Sequence, residues 1–311
     1  MVKRRPLWIL GQGGFLGSAI AEKAQVHGYD LYVSEKIPWL NSAARATAIE
    51  DSASAFADFA ANDRPTIIWA AGAEGVATQF HQDSTELATF TDLISTLRAT
   101  TALYSSRVIV CSSAGGVYSG SKNPPYSISS PINAINDYGQ GKIAVEQITA
   151  NELATNYSTH IARISNLYGP WPGPRQGLIN RLCTAAATRE PVKIYVSLET
   201  VRDYIYVTDA AELLIAEQEL LEDSGETNSP SVSLIGSGIH TSIGAVIKYV
   251  ANVTHRKVPV TISELEATRM QPRDLRVTPS WIERGIEFSP VTPPQGIKRV
   301  FDSLVTVPRW V

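Results

Sequence analysis

The stretch Leu7-Trp-Ile-Leu-Gly-Gln-Gly-Gly-Phe-Leu-Gly17 decides the fold. Its apolar run Leu7–Leu10 predicts a buried strand, and the Ala-rich segment Ser18–Val26 that follows the glycines predicts a helix. Glycines in such a turn let the backbone approach a pyrophosphate, and the first N–H groups of the helix attract the anion. Spaced glycines also occur in plain structural turns, but the strand–turn–helix setting favours a dinucleotide site.

The first half of the chain alternates short apolar runs with helix-like stretches. Further strands are predicted at Asp30–Val33, Thr66–Ala71, Arg107–Ser112 and His160–Ile164, and helices at Ser84–Arg98 and Tyr138–Tyr157. Such alternation is typical of an α/β fold in which helices cover both faces of a parallel sheet. We therefore predict a Rossmann-type doubly wound parallel sheet.

The composition changes at Tyr168–Pro174, which is rich in proline and glycine. This segment predicts the point at which the chain leaves the first domain. Beyond it we predict helices at Leu178–Thr188 and Thr208–Leu221, strands at Val192–Val196, Arg202–Val207 and Val232–Ile235, and one helix, Ser242–Val253, among C-terminal loops. The strand Val232–Ile235 is placed to return to the main sheet. The predicted domains are 1–166 with 205–238 for the dinucleotide and 167–204 with 239–311 as a smaller C-terminal lobe for the substrate.

Composition excludes several classes of function. The 311 residues carry a formal charge of −3 with no basic stripe, so neither nucleic acid nor a membrane is an expected partner. No run reaches the roughly 18 apolar residues of a spanning helix, and we expect a cytoplasmic protein. The only two cysteines, Cys111 and Cys183, predict core residues rather than a disulfide framework, and the five histidines lack metal-ligand spacing.

An acidic residue follows the second predicted strand. Glu35 lies eighteen residues beyond Gly17, where a carboxylate can accept both hydroxyls of an adenosine ribose and would repel a 2′-phosphate. This favours NAD over NADP. Two alternatives stay open, because the neighbouring Lys36 would tolerate the phosphate and because Glu35 can be a solvated loop charge.

A Tyr-x-x-x-Lys pair occurs at Tyr32/Lys36, Tyr118/Lys122 and Tyr138/Lys142. Residues four apart share a face only on a helix. The first pair starts in a predicted strand and the second opens a Gly/Ser/Pro loop. The third follows Asn136-Asp137, a credible helix cap, so it alone is predicted to bring phenol and ammonium together.

A phenol beside an ammonium can act as a base at neutral pH. Free tyrosine has a pKa of about 10, and a lysine cation one helical turn away favours the phenolate form. A hydroxyl at the end of a neighbouring strand would polarise the reacting oxygen. Ser112 and Ser113 end the fourth predicted strand, at the edge where ligands bind in such sheets. Serines there are also common turn formers.

Six motifs in order carry a family resemblance: Gly11–Gly17, Trp69–Ala71, Ser112–Tyr118, Tyr138–Lys142, Arg163–Pro170 and Val201–Val207. Together they resemble the extended short-chain dehydrogenase/reductase family of NAD-dependent nucleotide-sugar epimerases and dehydratases, in particular the UDP-glucose (galactose) 4-epimerases. The likeness runs from residue 7 to about 238, and more loosely to 300.

The resemblance implies NAD as cofactor, a nucleotide sugar (a UDP-hexose) as substrate, and a homodimer. The implied cofactor contacts are Gly11, Gly14, Phe15, Leu16, Gly17, Glu35, Ala70, Ala71, Ser112, Tyr138 and Lys142. The implied catalytic residues are Ser113, Tyr138 and Lys142. The implied substrate contacts are Ser113, Tyr138, Asn166, Arg202 and Arg273.

The motifs depart from the family's pattern in three places. The serine motif carries one residue more than usual before Val117, so Ser112 can stand in for Ser113. Dehydratases have acidic residues where this chain has 114–116, Ala-Gly-Gly, which disfavours dehydration. Gln271 stands where the family has an arginine, so either Arg273 replaces it or this phosphate contact is lost.

The resemblance implies 4-epimerisation by transient oxidation at C4. The alternatives are a nucleotide-sugar 4-reductase or dehydrogenase, which would release its cofactor, and a non-catalytic NAD-sensing protein.

Overall fold

The computed structural model describes residues 4–61, 63–72, 85–173, 177–223, 229–263 and 272–306. They form two compact units, each built from three segments of the chain. The first unit comprises residues up to 117, 136–163 and 211–233, and the second comprises 118–135, 164–210 and the residues from 234 on.

The predicted domain boundaries placed the segment 118–135 with the first domain, whereas it groups with the second unit. Aromatic stacking and backbone hydrogen bonds explain this. The rings of Tyr118 and Tyr126 stack at 5.2 Å. The Tyr126 N–H donates to the Arg276 carbonyl at 2.8 Å, and the Thr278 N–H donates to the Tyr126 carbonyl at 2.7 Å.

The first unit is built on the main sheet. Its elements begin with β1 Pro6–Leu10, α1 Phe15–Val26, β2 Asp30–Tyr32, α2 Ser42–Ala60, β3 Thr66–Trp69, α3 Thr85–Ala99, β4 Arg107–Ser113, α4 Ala114–Val117, α5 Asp137–Glu152 and β5 Ser158–Ile164. The second unit begins with β6 Asn166–Tyr168, α6 Leu178–Thr188, β7 Val192–Ile194 and β8 Val201–Tyr206. The chain continues through α7 Val207–Asp223 and β9 Ser231–Ile235, and then β10 His240–Ser242, α8 Ile243–Thr254, β11 Val260–Ile262, β12 Asp274–Leu275, α9 Ser280–Glu283 and α10 Pro293–Thr306.

The strand order of the main sheet is β2-β1-β3-β4-β5-β9. The pairs β1–β2, β1–β3 and β3–β4 are parallel. The chain first moves outward from β1 to β2 and then crosses back to β3, so the topological switch point lies between β1 and β3. The predicted Rossmann-type doubly wound sheet is confirmed, and so is the return of the strand at Val232–Ile235 to it.

The apolar runs form buried strands because helices cover both faces of the main sheet. Residues 6–10 and 66–69 are buried along their whole length. Trp8, Trp69 and Phe56 belong to one core cluster of the first unit. Continuous apolar runs are the pattern that a buried parallel strand leaves in a sequence.

Two long helices were missing from the sequence prediction. Ser42–Ala60 is mostly alanine and serine, and its buried face shows only a few large side chains, among them Ile49 and Phe56. Pro293–Thr306 starts with two prolines, which the first turn of a helix tolerates because it has no need of their N–H groups. The prediction of a single helix in the C-terminal stretch was therefore wrong.

In the second unit, β8 lies between β10 and β12 and also pairs with β6, while β7 pairs with β11. The buried side chains of α6, α8 and α10, including Leu182, Val246 and Ile297, form its core. Within the described ranges, no helix combines the length and the apolar character needed to cross a membrane.

Candidate active site

The glycine turn of the first unit is packed too closely for side chains. Gly11 adopts φ +95°, and a Cβ there would lie 2.7 Å from the Ala71 nitrogen. A Cβ on Gly17 would overlap the Gly11 carbonyl oxygen and lie 2.6 Å from its carbon. The Ala70 N–H donates to the Leu10 carbonyl at 2.9 Å. The turn and the residues after β3 therefore meet at the switch point, where such sheets bind ligands.

The start of α1 has the features of an anion site. Its N-cap is Gly14, which has no side chain to accept a hydrogen bond from the N–H groups of the first turn. Gly13 is exposed, and a Cβ there would meet no atom within 4 Å. Phe15 and Leu16 form the first turn itself. This backbone cradle fits the diphosphate of a dinucleotide, which binds to N–H groups rather than side chains.

Glu35 lies three residues beyond the end of β2, the strand next to β1. Its side chain is exposed, as is that of Lys36. Exposure at this place suits both a ribose ligand and a solvated charge, and the preference for the ribose rests on the position alone.

Tyr138 and Lys142 lie on α5, as predicted. The helix is capped by Asn136, whose Oδ1 accepts from the Gly139 N–H at 2.8 Å. The Lys142 Nζ lies over the Tyr138 ring, 5.6 Å from its centroid. The ring also packs on Gly116 of α4, where a Cβ would lie 3.2 Å from Tyr138 Cε1. The absence of a side chain at 116 lets the half-buried ring lie against α4.

Sequence reasoning missed Glu86, the partner of that lysine. Both side chains are buried, and Lys142 Nζ forms an ion pair with Glu86 Oε1. Burial alone would lower the pKa of Lys142, but Tyr138 and Glu86 together raise it above its ordinary value. Lys142 is therefore a cation at neutral pH. Its partner comes from the first turn of α3, 56 residues away, and no local spacing connects the two.

The two serines that end β4 have different surroundings. Ser112 is buried, and its hydroxyl donates to Glu146 Oε1 at 2.6 Å. The other oxygen of Glu146 forms an ion pair with Arg163 at 2.7 Å. Ser113 is partly exposed, and its hydroxyl oxygen accepts from the Gly116 N–H at 3.2 Å. Ser112 therefore belongs to a buried network, while Ser113 shares Gly116 as a neighbour with Tyr138.

This difference predicts opposite outcomes for two alanine variants. We expect Ser112→Ala to lower the free energy of unfolding by about 1–2 kcal/mol, because it removes a buried hydrogen bond to a charged group. We expect Ser113→Ala to leave stability nearly unchanged and to lower kcat about 100-fold. Urea unfolding and steady-state kinetics measure the two effects. The reverse pattern would assign the catalytic hydroxyl to Ser112.

Three of the predicted substrate residues, Asn166, Arg202 and Arg273, lie in the second unit, whereas Ser113 and Tyr138 belong to the first. Asn166 is exposed at the start of β6, and Arg202 is buried on β8, opposite Leu275 of β12. Burial lowers the pKa of Arg202, against the opposite effects of Tyr204 and Asp274.

Arg273 immediately precedes β12. Its side chain is exposed, and its carbonyl accepts from the Val201 N–H at 2.8 Å. The backbone pairing of β8 and β12 thus brings the segments of Arg202 and Arg273 together. Gln271 lies outside the described residues.

The two cysteines and the potential metal ligands form no site within the described part of the chain. Cys111 and Cys183 are buried free thiols, and burial raises the pKa of each to about 12. The prediction that they are core residues is confirmed. No cluster of three potential metal ligands occurs among the described residues.

Comparison with known proteins agrees with this geometry. The sequence model of the NAD dependent epimerase/dehydratase family matches residues 7–227. The chain belongs to this family. The prediction of the family and of its NAD dependence is thereby confirmed.

Individual relatives are more distant. UDP-glucose 4-epimerase from Bacillus subtilis is 28% identical over 179 residues, which are 52% of this chain and 52% of that protein. dTDP-4-dehydro-6-deoxyglucose reductase from Escherichia coli is 28% identical over 159 residues, 50% of this chain and 48% of that protein. The chain thus spans about half the length of the curated relatives it matches.

The similarity of fold extends further. The structure of UDP-glucose 4-epimerase from Bifidobacterium longum in complex with NAD+ and UDP has a TM-score of 0.76 at 19% identity. The match covers 98% of this chain and all of the other. At this identity the likeness concerns the fold.

Proposed function

We propose that the protein is an NAD-dependent nucleotide-sugar 4-epimerase that acts by transient oxidation of a UDP-hexose at C4. The observation that carries the proposal is the group of Tyr138, Lys142 and Ser113 around α4, with the buried lysine cation at the tyrosine ring. A protein that only sensed NAD would have no use for a tyrosine beside a buried cation.

Each residue has a step that its surroundings allow. A bound NAD+ would supply the acceptor for the C4 hydride, and the NADH so formed would supply the hydride for the other face of the keto sugar. Tyr138 takes the proton of the C4 hydroxyl and gives it back when the hydride returns. Lys142 places its positive charge at the tyrosine ring. The Ser113 hydroxyl donates a hydrogen bond to the same sugar oxygen and holds it beside the tyrosine.

A bound cofactor would be held by the chain's own backbone and by residues at four further positions. The turn Gly11–Gly17 would take the diphosphate, and Ala70 and Ala71 would line the adenosine side. Glu35 would accept the hydroxyls of the adenosine ribose. Lys142 would donate to the ribose on the nicotinamide side.

The sugar nucleotide needs cationic ligands for its own diphosphate. We assign this role to Arg202 and Arg273, whose segments are joined by the pairing of β8 and β12, with Asn166 on β6 as an amide donor. A guanidinium suits a diphosphate because its forked donors match two oxygens.

The test is to incubate the purified protein with NAD+ and a panel of UDP-, dTDP- and GDP-hexoses and to separate the products by chromatography. We expect a UDP-hexose to be converted to its C4 epimer without a lasting change in NADH absorbance, because the oxidation is reversed within the site. No conversion of any sugar in the panel would contradict the proposal.

A second candidate, a nucleotide-sugar 4-reductase, is favoured by the Escherichia coli reductase among the relatives. The same assay separates the two functions when a 4-keto sugar and reduced cofactor are supplied. A reductase consumes one NADH or NADPH per product and releases the oxidised form, whereas an epimerase shows no net consumption.

A further inference from the structure

The buried pair of Lys142 and Glu86 leaves one carboxylate oxygen unused. Glu86 is 4% exposed, and its Oε1 pairs with Lys142. Its Oε2 has no hydrogen-bond partner among the described residues. A buried carboxylate oxygen without a donor costs free energy, and in native proteins such an atom requires an explanation. The ion pair with Lys142 accounts for Oε1 and leaves Oε2 unexplained.

The exposed residue Gly72 lies next to the buried pair. A Cβ at this exposed position would lie 3.6 Å from Glu86 Oε2 and 3.8 Å from Lys142 Nζ. A side chain at position 72 would therefore be in van der Waals contact with both charged groups. Gly72 directly follows Ala71, which meets the Gly11 turn. The free oxygen and the ammonium are thus reached from the same strand end that contacts the glycine turn.

The chemistry of the pair selects a ligand. A carboxylate oxygen accepts hydrogen bonds only, and an ammonium donates only. Two adjacent hydroxyls satisfy both, because one can donate to Oε2 while the other accepts from Nζ. A phosphate is excluded at Oε2, since two anions would repel each other. Of the parts of a dinucleotide, a ribose fits, and the one beside Tyr138 is the ribose that carries the nicotinamide.

We propose that Glu86 is a cofactor ligand, whose Oε2 accepts a hydrogen bond from a hydroxyl of the nicotinamide-side ribose while its Oε1 holds Lys142. This inference rests on the proposed function for the location of the cofactor. It adds an acidic ligand to the ribose site and gives Gly72 a role, which is to leave the approach to the pair open.

The test measures the binding of NAD+, ADP-ribose and ADP to the protein by calorimetry. ADP-ribose keeps the second ribose without the nicotinamide, and ADP lacks both. We expect Glu86→Gln to weaken NAD+ and ADP-ribose about 10-fold each and to leave ADP unchanged, because a charged acceptor becomes a neutral amide. Gly72→Val, which keeps the ion pair and places methyl groups over it, should show the same selectivity.

The control is Asp92→Asn, which breaks the 2.6 Å ion pair of the same helix with Arg45. It should leave all three affinities unchanged. Equal losses for all three ligands in Glu86→Gln, a loss for NAD+ alone, or wild-type affinities in Gly72→Val would each overturn the assignment.

The outcomes separate this inference from the proposed function. Selective loss of ribose binding without epimerisation of any sugar keeps the ligand and removes the epimerase. Epimerisation by the wild type, with affinities in Glu86→Gln that equal those of the wild type, keeps the epimerase and removes Glu86 as a cofactor ligand. A wild-type protein that binds neither NAD+ nor ADP-ribose would overturn both.

Discussion

Tyr138→Phe is expected to lower kcat about 100- to 10,000-fold, the usual contribution of a positioned general base, while NAD+ still binds. The ring would keep its place against Gly116 and below Lys142, because the substitution removes one oxygen and no packing. The proton of the sugar hydroxyl would then have no acceptor at this position. Single-turnover kinetics with the epimerised sugar measure the loss, and calorimetry with NAD+ checks binding.

The matched control is Tyr118→Phe. Tyr118 belongs to another Tyr-x-x-x-Lys pair, but its hydroxyl donates to the Ser127 carbonyl at 2.8 Å and its ring stacks on Tyr126. We expect a loss of about 1 kcal/mol in the free energy of unfolding and an unchanged kcat. A Tyr138→Phe variant with wild-type turnover would remove Tyr138 from the role of base.

The choice among the three tyrosines shows what a sequence can decide. The spacing is the same in all three pairs, and the helix cap Asn136 distinguishes Tyr138 from the other two tyrosines. A cap is a local signal, because its side chain bonds to a backbone three residues away. The glycine turn and the strands of the main sheet were predictable for the same reason, because each depends on residues that are close together in the sequence.

Contacts between segments far apart in the sequence could not be predicted from local patterns. No residue near Lys142 in the sequence indicates its partner Glu86, which the fold brings to it from α3. The surroundings of Ser112 and Ser113 could not be distinguished either. Successive side chains of a strand point to opposite faces of the sheet, so a shift of one residue decides which serine is buried. Ser112 faces Glu146, a residue of α5. The helix Ser42–Ala60 was not predicted because its alanines and serines hide its apolar face.

The last prediction concerns the glycine turn, where backbone contacts leave no room. We expect Gly17→Ala to lower the free energy of unfolding by about 3 kcal/mol and to weaken NAD+ and ADP at least about 10-fold. A Cβ at 17 would overlap the Gly11 carbonyl oxygen and lie 2.9 Å from the Gln12 Cα. Because both neighbours are backbone, α1 must move away from the turn, and its N-terminus leaves the position that binds the diphosphate.

Gly13→Ala provides the comparison within the same turn. A Cβ at 13 would meet no protein atom within 4 Å, so its free energy of unfolding should stay within about 0.5 kcal/mol of the wild type. Urea unfolding gives the stabilities, and calorimetry gives the affinities for NAD+ and ADP. Because ADP carries the diphosphate without the nicotinamide half, its loss in Gly17→Ala locates the effect at the turn. If Gly17→Ala matched the wild type in stability and in ADP affinity, the turn would be neither as close-packed as its geometry requires nor the site of the diphosphate.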